Sequence, residues 1–309
     1  MSKIAIITRE NVFGNIILNK AIPALIDQGY DPTVYVTSDP DIKGMDSPEH
    51  QHISKMETGL YRDAVAPFLD DNPLTADGDP ITGVNYTLDQ LAEMHRINVV
   101  DVTDVNHQSF IDEMDSFDGA INVRGLTIFE PPLVDALSGD KFFYNLHPGL
   151  LPEYKGLLTP FHSALDGEKT VGQSLHKIDN GIDTGDIVMR KEIPFNPQQP
   201  IFDTYLELCE VGNAMIIDAM GIRKEYNGVP SIKQSPSEKR DYNPLPDEEM
   251  LTSLKSNGVE FGDSEHVMQA YLSLYSKPDT QHATALLQVM NDYLQGRDNV
   301  LEHSAVAPA

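Results

Sequence analysis

An amide, an imidazole and a carboxylate are spaced so that they could act together on a carbonyl group. Asn145 and His147 follow a predicted strand, and Asp183 lies in a second loop between Gly181 and Gly185. Open α/β sheets usually carry their chemistry at the carboxyl ends of their strands. There the amide could donate a hydrogen bond to a developing oxyanion, while the imidazole and the carboxylate move protons. Residues of these three types suit an acyl-transfer site.

The elements that must position these residues predict an α/β fold. Short apolar runs alternate with segments of helical spacing, which is typical of a Rossmann-like, mostly parallel sheet with helices on both faces. A small C-terminal helical unit follows. The predicted strands span 4–8, 33–37, 98–102, 118–123, 141–146, 170–178 and 187–193. The first strand-to-helix turn lacks a GxGxxG motif, so we expect no dinucleotide there.

The chain divides into three predicted parts. They are a catalytic domain at 1–224, a linker at 225–246 and a small helical region at 247–309. The linker is polar and punctuated by proline, and the last residues, 299–309, are expected to fray. The role of the C-terminal helices stays open, because they could complete an acceptor pocket, form a homodimer contact or cap the sheet.

The segment 39–86 is polar and rich in Pro, Gly and Asp, which predicts a long connection with a short helix at 59–69. His50, His52 and Glu57 lie in this segment. Their spacing fits neither adjacent turns of one helix nor a structural zinc pattern. We therefore expect them to be solvated loop residues.

The clearest helical pattern spans 203–220. Thr204 and Glu207 have the spacing of a capping box at its start, with a threonine followed three residues later by a glutamate. Cys209 lies on the apolar face of this helix. Because a thiol on such a face is usually inert, we expect Cys209 to pack in the core and not to act as a nucleophile.

The charge balance argues against some partners. Lys and Arg number 22 against 48 Asp and Glu, so the formal net charge is −26. Nucleic-acid binding relies on neutralising phosphates with basic side chains, so we expect no nucleic-acid partner. A solubility or salt-tolerance adaptation explains the acidic balance more simply. The chain has 1 cysteine and no apolar run long enough for a membrane span, so we expect a cytoplasmic protein that binds no membrane.

Three segments in the middle of the chain resemble the signature of the folate-dependent formyltransferases. They are Asn-Leu-His-Pro-Gly-Leu-Leu-Pro at 145–152, Tyr-Lys-Gly at 154–156 and Gly-Ile-Asp-Thr-Gly-Asp at 181–186. That family includes glycinamide ribonucleotide, methionyl-tRNA and sugar N-formyltransferases. The resemblance covers roughly the first two-thirds of the chain, in a Rossmann-like order of elements. It implies that Asn145, His147 and Asp183 are the catalytic trio.

The resemblance also implies that 10-formyltetrahydrofolate is the formyl donor. In relatives the pterin edge bonds to main chain in the loop before the aspartate and stacks on apolar residues after the preceding strand. Gly181 and Gly185 would let the backbone approach the ligand closely. The positions that would bind the donor here are Leu126, Ile128, Phe129, Ile178, Asn180, Gly181 and Ile182.

Two departures from the family pattern stand out. Gly149 replaces the serine of many relatives, which changes the flexibility of the turn but removes no catalytic group. The first strand-to-helix turn lacks the glycine-rich phosphate cradle of the ribonucleotide enzyme, which argues against glycinamide ribonucleotide as acceptor. The acidic balance argues against tRNA. A small-molecule amine remains as the expected acceptor, such as a nucleotide-linked amino sugar or a hydroxylated ornithine.

Two other function classes stay open. A 10-formyltetrahydrofolate hydrolase would use the same trio to pass the formyl group to water, although such hydrolases usually carry an extra N-terminal domain. A metal-dependent hydrolase or a non-catalytic binder would use a different set of side chains. That set is His147, His162, His176 and Asp183. We expect no metal, and we expect His162 and His176 to pack or to lie on the surface.

Overall fold

The computed structural model describes residues 1–38, 43–76, 79–278 and 280–297. As predicted, a mostly parallel sheet forms its centre. In the described residues this sheet has seven strands, and two short strands form a separate hairpin. The strands are β1 (Ser2–Arg9), β2 (Tyr30–Thr37), β3 (Thr75–Ala76), β4 (Asp79–Pro80), β5 (Asn98–Val102), β6 (Gly119–Val123), β7 (Phe142–His147), β8 (Thr170–Lys177) and β9 (Ile187–Pro194).

The order across the sheet is β5-β2-β1-β6-β7-β8-β9. The strands from β5 to β7 pair in parallel, and β8 and β9 join antiparallel. From β1 the chain continues to β2 and β5 on one side of the sheet. From β6 it continues to β7, β8 and β9 on the other side. The carboxyl ends of β1 and β6 therefore flank a crevice of the kind where α/β sheets bind ligands. The strand β7 ends at the same edge, which is where Asn145 and His147 lie.

Helices cover both faces of the sheet. They are α1 (Val12–Asp27), α2 (Pro48–Ser54), α3 (Ala66–Asp71), α4 (Leu88–His95), α5 (Gln108–Met114), α6 (Pro131–Ala136), α7 (Thr159–Leu165), α8 (Ile201–Tyr226), α9 (Glu248–Ser256), α10 (Ser264–Tyr275) and α11 (Gln281–Leu294). Alternate side chains of β1 point to opposite faces. Ile4 and Ile6 accordingly pack in a larger core with α1 and α8, while Ala5 and Ile7 pack in a smaller one with α5 and α6.

The connection after β2 is more regular than predicted. Instead of one short helix at 59–69, α2 continues through two π-helical turns, Lys55–Gly59 and Tyr61–Val65, into α3. This helical run packs in the larger core, so His50 and Glu57 are only 1% and 3% exposed. Their prediction as solvated loop residues is wrong. The polar sequence around them does not predict this burial, because it arises when the run packs in the larger core.

Glu57 is buried because two arginines surround it. Its carboxylate accepts hydrogen bonds from Arg9 and Arg124, which stand at the ends of β1 and β6. The Arg124 guanidinium also lies 5.4 Å from the ring centroid of Phe13 and 5.0 Å from that of Tyr205. Burial opposes ionisation of Glu57, but the two arginines outweigh it and lower the pKa of this carboxyl. The cluster ties the helical run to both sides of the crevice.

The helix α8 begins before its predicted start. Pro200 takes the N-cap position, and the first two backbone N–H groups of the helix donate to the carbonyls of residues 260–261 at 2.8 and 2.9 Å. The predicted capping box of Thr204 and Glu207 is therefore wrong, because tertiary contacts satisfy the helix start. Cys209 is buried as predicted, and burial raises the pKa of its thiol to about 12.

The helices α9 to α11 form the predicted C-terminal helical unit and pack on the larger core. The Tyr271 hydroxyl donates to the Met56 carbonyl at 2.8 Å, and the Tyr275 hydroxyl donates to Asn15 Oδ1 at 2.8 Å. The division into domain, linker and helical region stays a prediction, and the tail expected to fray lies outside the described residues. None of the described helices combines the length and the apolar character needed to cross a bilayer.

Candidate active site

The end of β7 and the loop after β8 bring the three predicted catalytic side chains together. Asn145 and His147 are two residues apart on β7, so their side chains project from the same face. Asp183 reaches them from the loop between β8 and β9. Its Oδ1 accepts a hydrogen bond from Asn145 Nδ2 at 3.3 Å, and its Oδ2 lies 3.6 Å from His147 Nδ1. The catalytic roles of the three residues remain predictions.

Asp183 is held in a left-handed backbone conformation with φ 54°. Its Oδ2 accepts a hydrogen bond from the backbone N–H of Gly156 at 2.9 Å, and its Oδ1 lies 3.4 Å from His176 Nε2. Burial opposes ionisation of this carboxyl, but His147, His176 and the Gly156 N–H together hold its pKa well below the ordinary value. Asp183 is therefore a carboxylate at neutral pH.

His147 has one ring nitrogen committed to the protein and one directed at Asp183. Its Nε2 lies 2.6 Å from the Tyr154 carbonyl oxygen, so Nε2 carries the hydrogen and donates it. Burial lowers the pKa of His147 even though Asp183 favours the charged ring. The imidazole is therefore neutral at neutral pH. Proton exchange is left to Nδ1, beside the carboxylate.

Gly149 is required by the turn that holds His147. A Cβ atom at Gly149 would lie 2.4 Å from the Tyr154 carbonyl oxygen and 2.6 Å from His147 Nε2. Both atoms belong to the hydrogen bond that fixes the imidazole. A serine at this position, as in many relatives, needs a different turn. The departure from the family pattern thus affects the placement of the imidazole as well as the flexibility of the turn.

His176 belongs to the site, against the prediction that it packs or lies on the surface. It is 2% exposed, its Nε2 accepts from Asn145 Nδ2 at 3.0 Å, and its Nδ1 donates to the Lys177 carbonyl at 2.7 Å. His162 packs as predicted, with Nε2 at 2.7 Å from the Pro244 carbonyl. Among the described residues no group of three or more His, Cys, Asp and Glu side chains could hold a metal ion.

The predicted donor-binding residues form two segments that meet at Phe143. The ring of Phe129, after β6, lies 4.8 Å from the ring of Phe143 between centroids. The backbone N–H of Ile178, at the end of β8, donates to the Phe143 carbonyl at 2.8 Å. Both segments therefore border β7 on the face of the smaller core. Donor binding by these residues remains a prediction.

The same two segments expose large apolar side chains. Ile128 is 68% exposed and Ile182 is 50% exposed, while Leu126 is half-buried. Asn180 and Gly181 are exposed, and the Gly181 N–H donates to Asp179 Oδ1 at 3.1 Å. Exposed apolar side chains beside accessible main chain suit a flat ring that also forms hydrogen bonds at its edge. The residues predicted to bind the formyl donor thus suit a pterin ring.

The segment predicted as a linker, 225–246, contacts the loop after β7 and the loop after β8. The sequence gives no signal of these contacts. Gln234 Nε2 donates to the carbonyls of Asp183 at 2.9 Å and Gly185 at 2.7 Å. Asn243 pairs through its backbone with Gly156, whose own N–H bonds the Asp183 carboxylate. The segment predicted as a linker therefore contacts the loop of Asp183. A side-chain amide far along the chain gives no local signal of such a role.

Known proteins resemble the central part of this chain. Residues 104–220 match the family model described as formyl transferase. The resemblance to the formyltransferases is confirmed. The methionyl-tRNA formyltransferase of Thermotoga neapolitana is 30% identical over 118 residues, which cover 38% of this chain and 37% of the relative. That of Thermosipho melanesiensis is 33% identical over 92 residues, or 29% of each chain. The chain thus spans about a third of the length of these formyltransferases.

Solved formyltransferase structures share the fold. The sugar 3N-formyl transferase WlaRD aligns with a TM-score of 0.52 and 20% identity, covering 79% of this chain and 70% of that chain. The N-formyltransferase of Helicobacter canadensis aligns with a TM-score of 0.51 and 21% identity, covering 80% of this chain and 72% of that chain. The predicted α/β fold is therefore confirmed well beyond the region of the family match.

Proposed function

We propose that this protein is an N-formyltransferase that moves the formyl group of 10-formyltetrahydrofolate onto the amine of a small molecule. The convergence of Asn145, His147 and Asp183 carries the proposal. The match of residues 104–220 to the formyl transferase family supports the reaction class. Formyl transfer needs an oxyanion donor and a proton acceptor at one point, and these three side chains supply both.

The amide of Asn145 stabilises the developing charge in this mechanism. A neutral amine attacks the formyl carbon, a new C–N bond forms, and the carbonyl oxygen becomes negatively charged. Asn145 Nδ2 donates to that oxygen, in exchange for one of its present contacts with His176 and Asp183. Loss of a single oxyanion donor usually lowers turnover by about a hundredfold or more.

The attacking nitrogen then gives up a proton, and the donor nitrogen must gain one as its bond to the formyl carbon breaks. The ionised Asp183 and the neutral Nδ1 of His147 lie side by side at 3.6 Å, and either can accept a proton. The proton that leaves the amine can thus be returned to the donor nitrogen. The proton lost by the amine equals the proton gained by the donor nitrogen, so the reaction needs no further reactant.

Folate binding rests on the two segments that meet at Phe143. The exposed Ile128 and Ile182 supply apolar surface, and the exposed main chain of Asn180 and Gly181 supplies hydrogen bonds. Two structural neighbours support this assignment. WlaRD was crystallised with 5-N-formyl-THF, and the Helicobacter canadensis enzyme with folinic acid. The donor supplies the formyl carbon, and the chain supplies its orientation.

A small-molecule acceptor suits this chain better than tRNA. The Helicobacter canadensis neighbour was crystallised with dTDP-3-aminofucose, an amino sugar on a nucleotide. The net charge of −26 opposes a polyanionic tRNA. The names of the curated relatives favour methionyl-tRNA as a second candidate, although the matches cover about a third of each relative.

An acceptor screen tests the proposal. Purified protein and 10-formyltetrahydrofolate are incubated with nucleotide-linked amino sugars, hydroxylated ornithine and methionyl-tRNA, and each product is weighed for the gain of one formyl group. We expect a small amine to be formylated and methionyl-tRNA to remain unchanged. Folate turnover at the full rate without any amine would instead support a hydrolase.

A further inference from the structure

Polar side chains form one row across three adjacent strands beside the site. Asn122 on β6 stands opposite Asn145 on β7, and Asn145 stands opposite His176 on β8. Asn122 is buried in a strand that is otherwise apolar. No part of the mechanism described above uses Asn122, so its amide needs a separate explanation.

Two hydrogen bonds and one orphan atom define the orientation of the Asn122 amide. Its Nδ2 donates to Asn145 Oδ1 at 2.8 Å and to the Gly125 carbonyl at 3.1 Å. Its Oδ1 is buried and has no hydrogen-bond partner. If the amide were flipped, its oxygen would face two other oxygens. Only the donor end of Asn122 is therefore compatible with its neighbours.

The orientation of Asn122 determines that of Asn145. Because Asn145 Oδ1 is occupied by the donor of Asn122, the Asn145 NH2 group must face His176 Nε2 and Asp183 Oδ1. Both of those atoms are acceptors, since His176 carries its hydrogen on Nδ1 and Asp183 is ionised. Asn122 thus donates to Asn145, and Asn145 in turn donates to His176 and Asp183.

We propose that Asn122 is a positioning residue that keeps the Asn145 NH2 group directed at the oxyanion. This inference rests on the proposed formyl transfer. In the mechanism, Asn145 Nδ2 gives up one of its contacts with His176 and Asp183 to bind the reacting oxygen. Without a donor at position 122, the remaining contact alone holds the amide, which can then rotate and present its carbonyl oxygen to the reacting oxygen. The site would then repel the charge that it must stabilise. The orphan Oδ1 of Asn122 indicates that the residue serves this orientation at some expense of stability.

The test uses Asn122→Asp, which keeps the shape of the side chain but makes its donor depend on pH. A protonated carboxyl can donate to Asn145 Oδ1, and a carboxylate cannot. We expect the ratio of variant to wild-type kcat to fall by about a hundredfold as pH rises from about 5 to about 10, with the KM for the donor unchanged. Dividing by the wild-type value removes the titration of the acceptor amine.

Two controls separate positioning from structural support. Asn213→Asp places a carboxyl at another buried asparagine with an unpartnered Oδ1, on α8, and should lower Tm without a pH-dependent kcat ratio. In an Asn145→Ala background, Asn122→Asp should reduce kcat no further. A constant ratio across the pH range, or an undiminished loss in that background, would overturn the proposal.

The positioning role of Asn122 can also be tested separately from the proposed reaction. Absence of formyl transfer by the wild-type protein would refute the proposed function alone. The side-chain ¹⁵N–H₂ signals of Asn145 report its hydrogen-bond partners without turnover. They should change with pH in Asn122→Asp and stay constant in the wild type. Unchanged signals in the variant would refute the positioning role whatever the activity.

Discussion

Two carboxylates near the carboxyl ends of the strands, Glu57 buried and Asp183 mostly so, have partners of opposite kinds. Glu57 lies between Arg9 and Arg124, whereas Asp183 lies between two histidine imidazoles. Both carboxyls have a lowered pKa despite burial. Arginine stays charged over the whole accessible pH range, so the Glu57 cluster cannot exchange protons. Imidazole titrates near neutrality, so the Asp183 cluster can.

The difference shows that partners decide what a buried carboxylate does. Removing Glu57 leaves two buried cations without their counter-charge, which affects folding. Removing the charge of Asp183 leaves an amide beside the two histidines, which can stay folded but loses the carboxylate that the proposed mechanism uses as a proton acceptor. In the proposed mechanism, the same residue chemistry therefore supports structure in the Glu57 cluster and reaction in the Asp183 cluster.

The largest expected effect is on catalysis by Asp183→Asn. The amide retains the shape of the side chain but cannot accept a proton, so kcat should fall by about a thousandfold. The fold should survive, which circular dichroism and a thermal melt can check. Retained activity in this variant would show that the carboxylate assignment is wrong and that the two clusters do not differ as described.

The second effect is on stability by Glu57→Gln. Breaking a buried ion pair on one side typically costs about 3–5 kcal/mol, because the remaining charges stay buried. The free energy of unfolding, measured with urea, should fall by that order. The matched control is Glu210→Gln, which breaks the exposed pair with Lys20 and should cost less than about 1 kcal/mol. Similar losses in both variants would contradict a structural role for the Glu57 cluster.

A smaller effect is expected from Gln234→Ala. This change removes the two donors that hold the carbonyls of Asp183 and Gly185, each worth about 1 kcal/mol. The loop of Asp183 should loosen, and kcat should fall by about tenfold. Gln288→Ala, at an exposed glutamine on α11, serves as control and should leave kcat unchanged. Equal kcat values for the two variants would show that the segment after α8 does not position the aspartate.

The smallest effect is the dependence of stability on pH. The pKa of His147 is lowered in the folded state, so the unfolded chain binds protons more readily below about pH 6.5, and stability declines as pH falls. Glu57 and Asp183 also have lowered pKa values, so a second decline follows below about pH 4. Urea unfolding at a series of pH values should show both. His147→Gln should remove part of the first decline and Glu57→Gln part of the second.

Much of the fold could be predicted from local pattern. Each of the seven strands of the large sheet overlaps the range predicted from its apolar run, and the C-terminal helices lie within the predicted helical region. The failures are instructive. The pattern predicts the start of α8 at residue 203, but the helix begins at Ile201, because carbonyls from residues 260–261 satisfy its first N–H groups. The sequence does not predict the burial of Glu57, because its counter-charges come from the ends of β1 and β6.

The candidate site was predictable only in part. Its three central residues could be named from their types, their spacing and the resemblance that the motifs carry. The sequence predicts that His176 packs or lies on the surface, and it gives no signal for Asn122 or Gln234. Each of them acts on the site through strand register or through a contact made from far along the chain. The residue types next to these positions in the sequence do not indicate strand register or long-range contacts.

The sequence by itself determined the order of strands and helices, the acidic character of the chain and the chemical groups available for reaction. These properties depend on periodicity and residue type, which are local. The tertiary structure decided which carboxylate meets arginine and which meets imidazole, which nitrogen of His147 is free, and how the Asn145 amide is turned. Those outcomes depend on partners brought together by packing, so they arise only when the whole sheet is assembled.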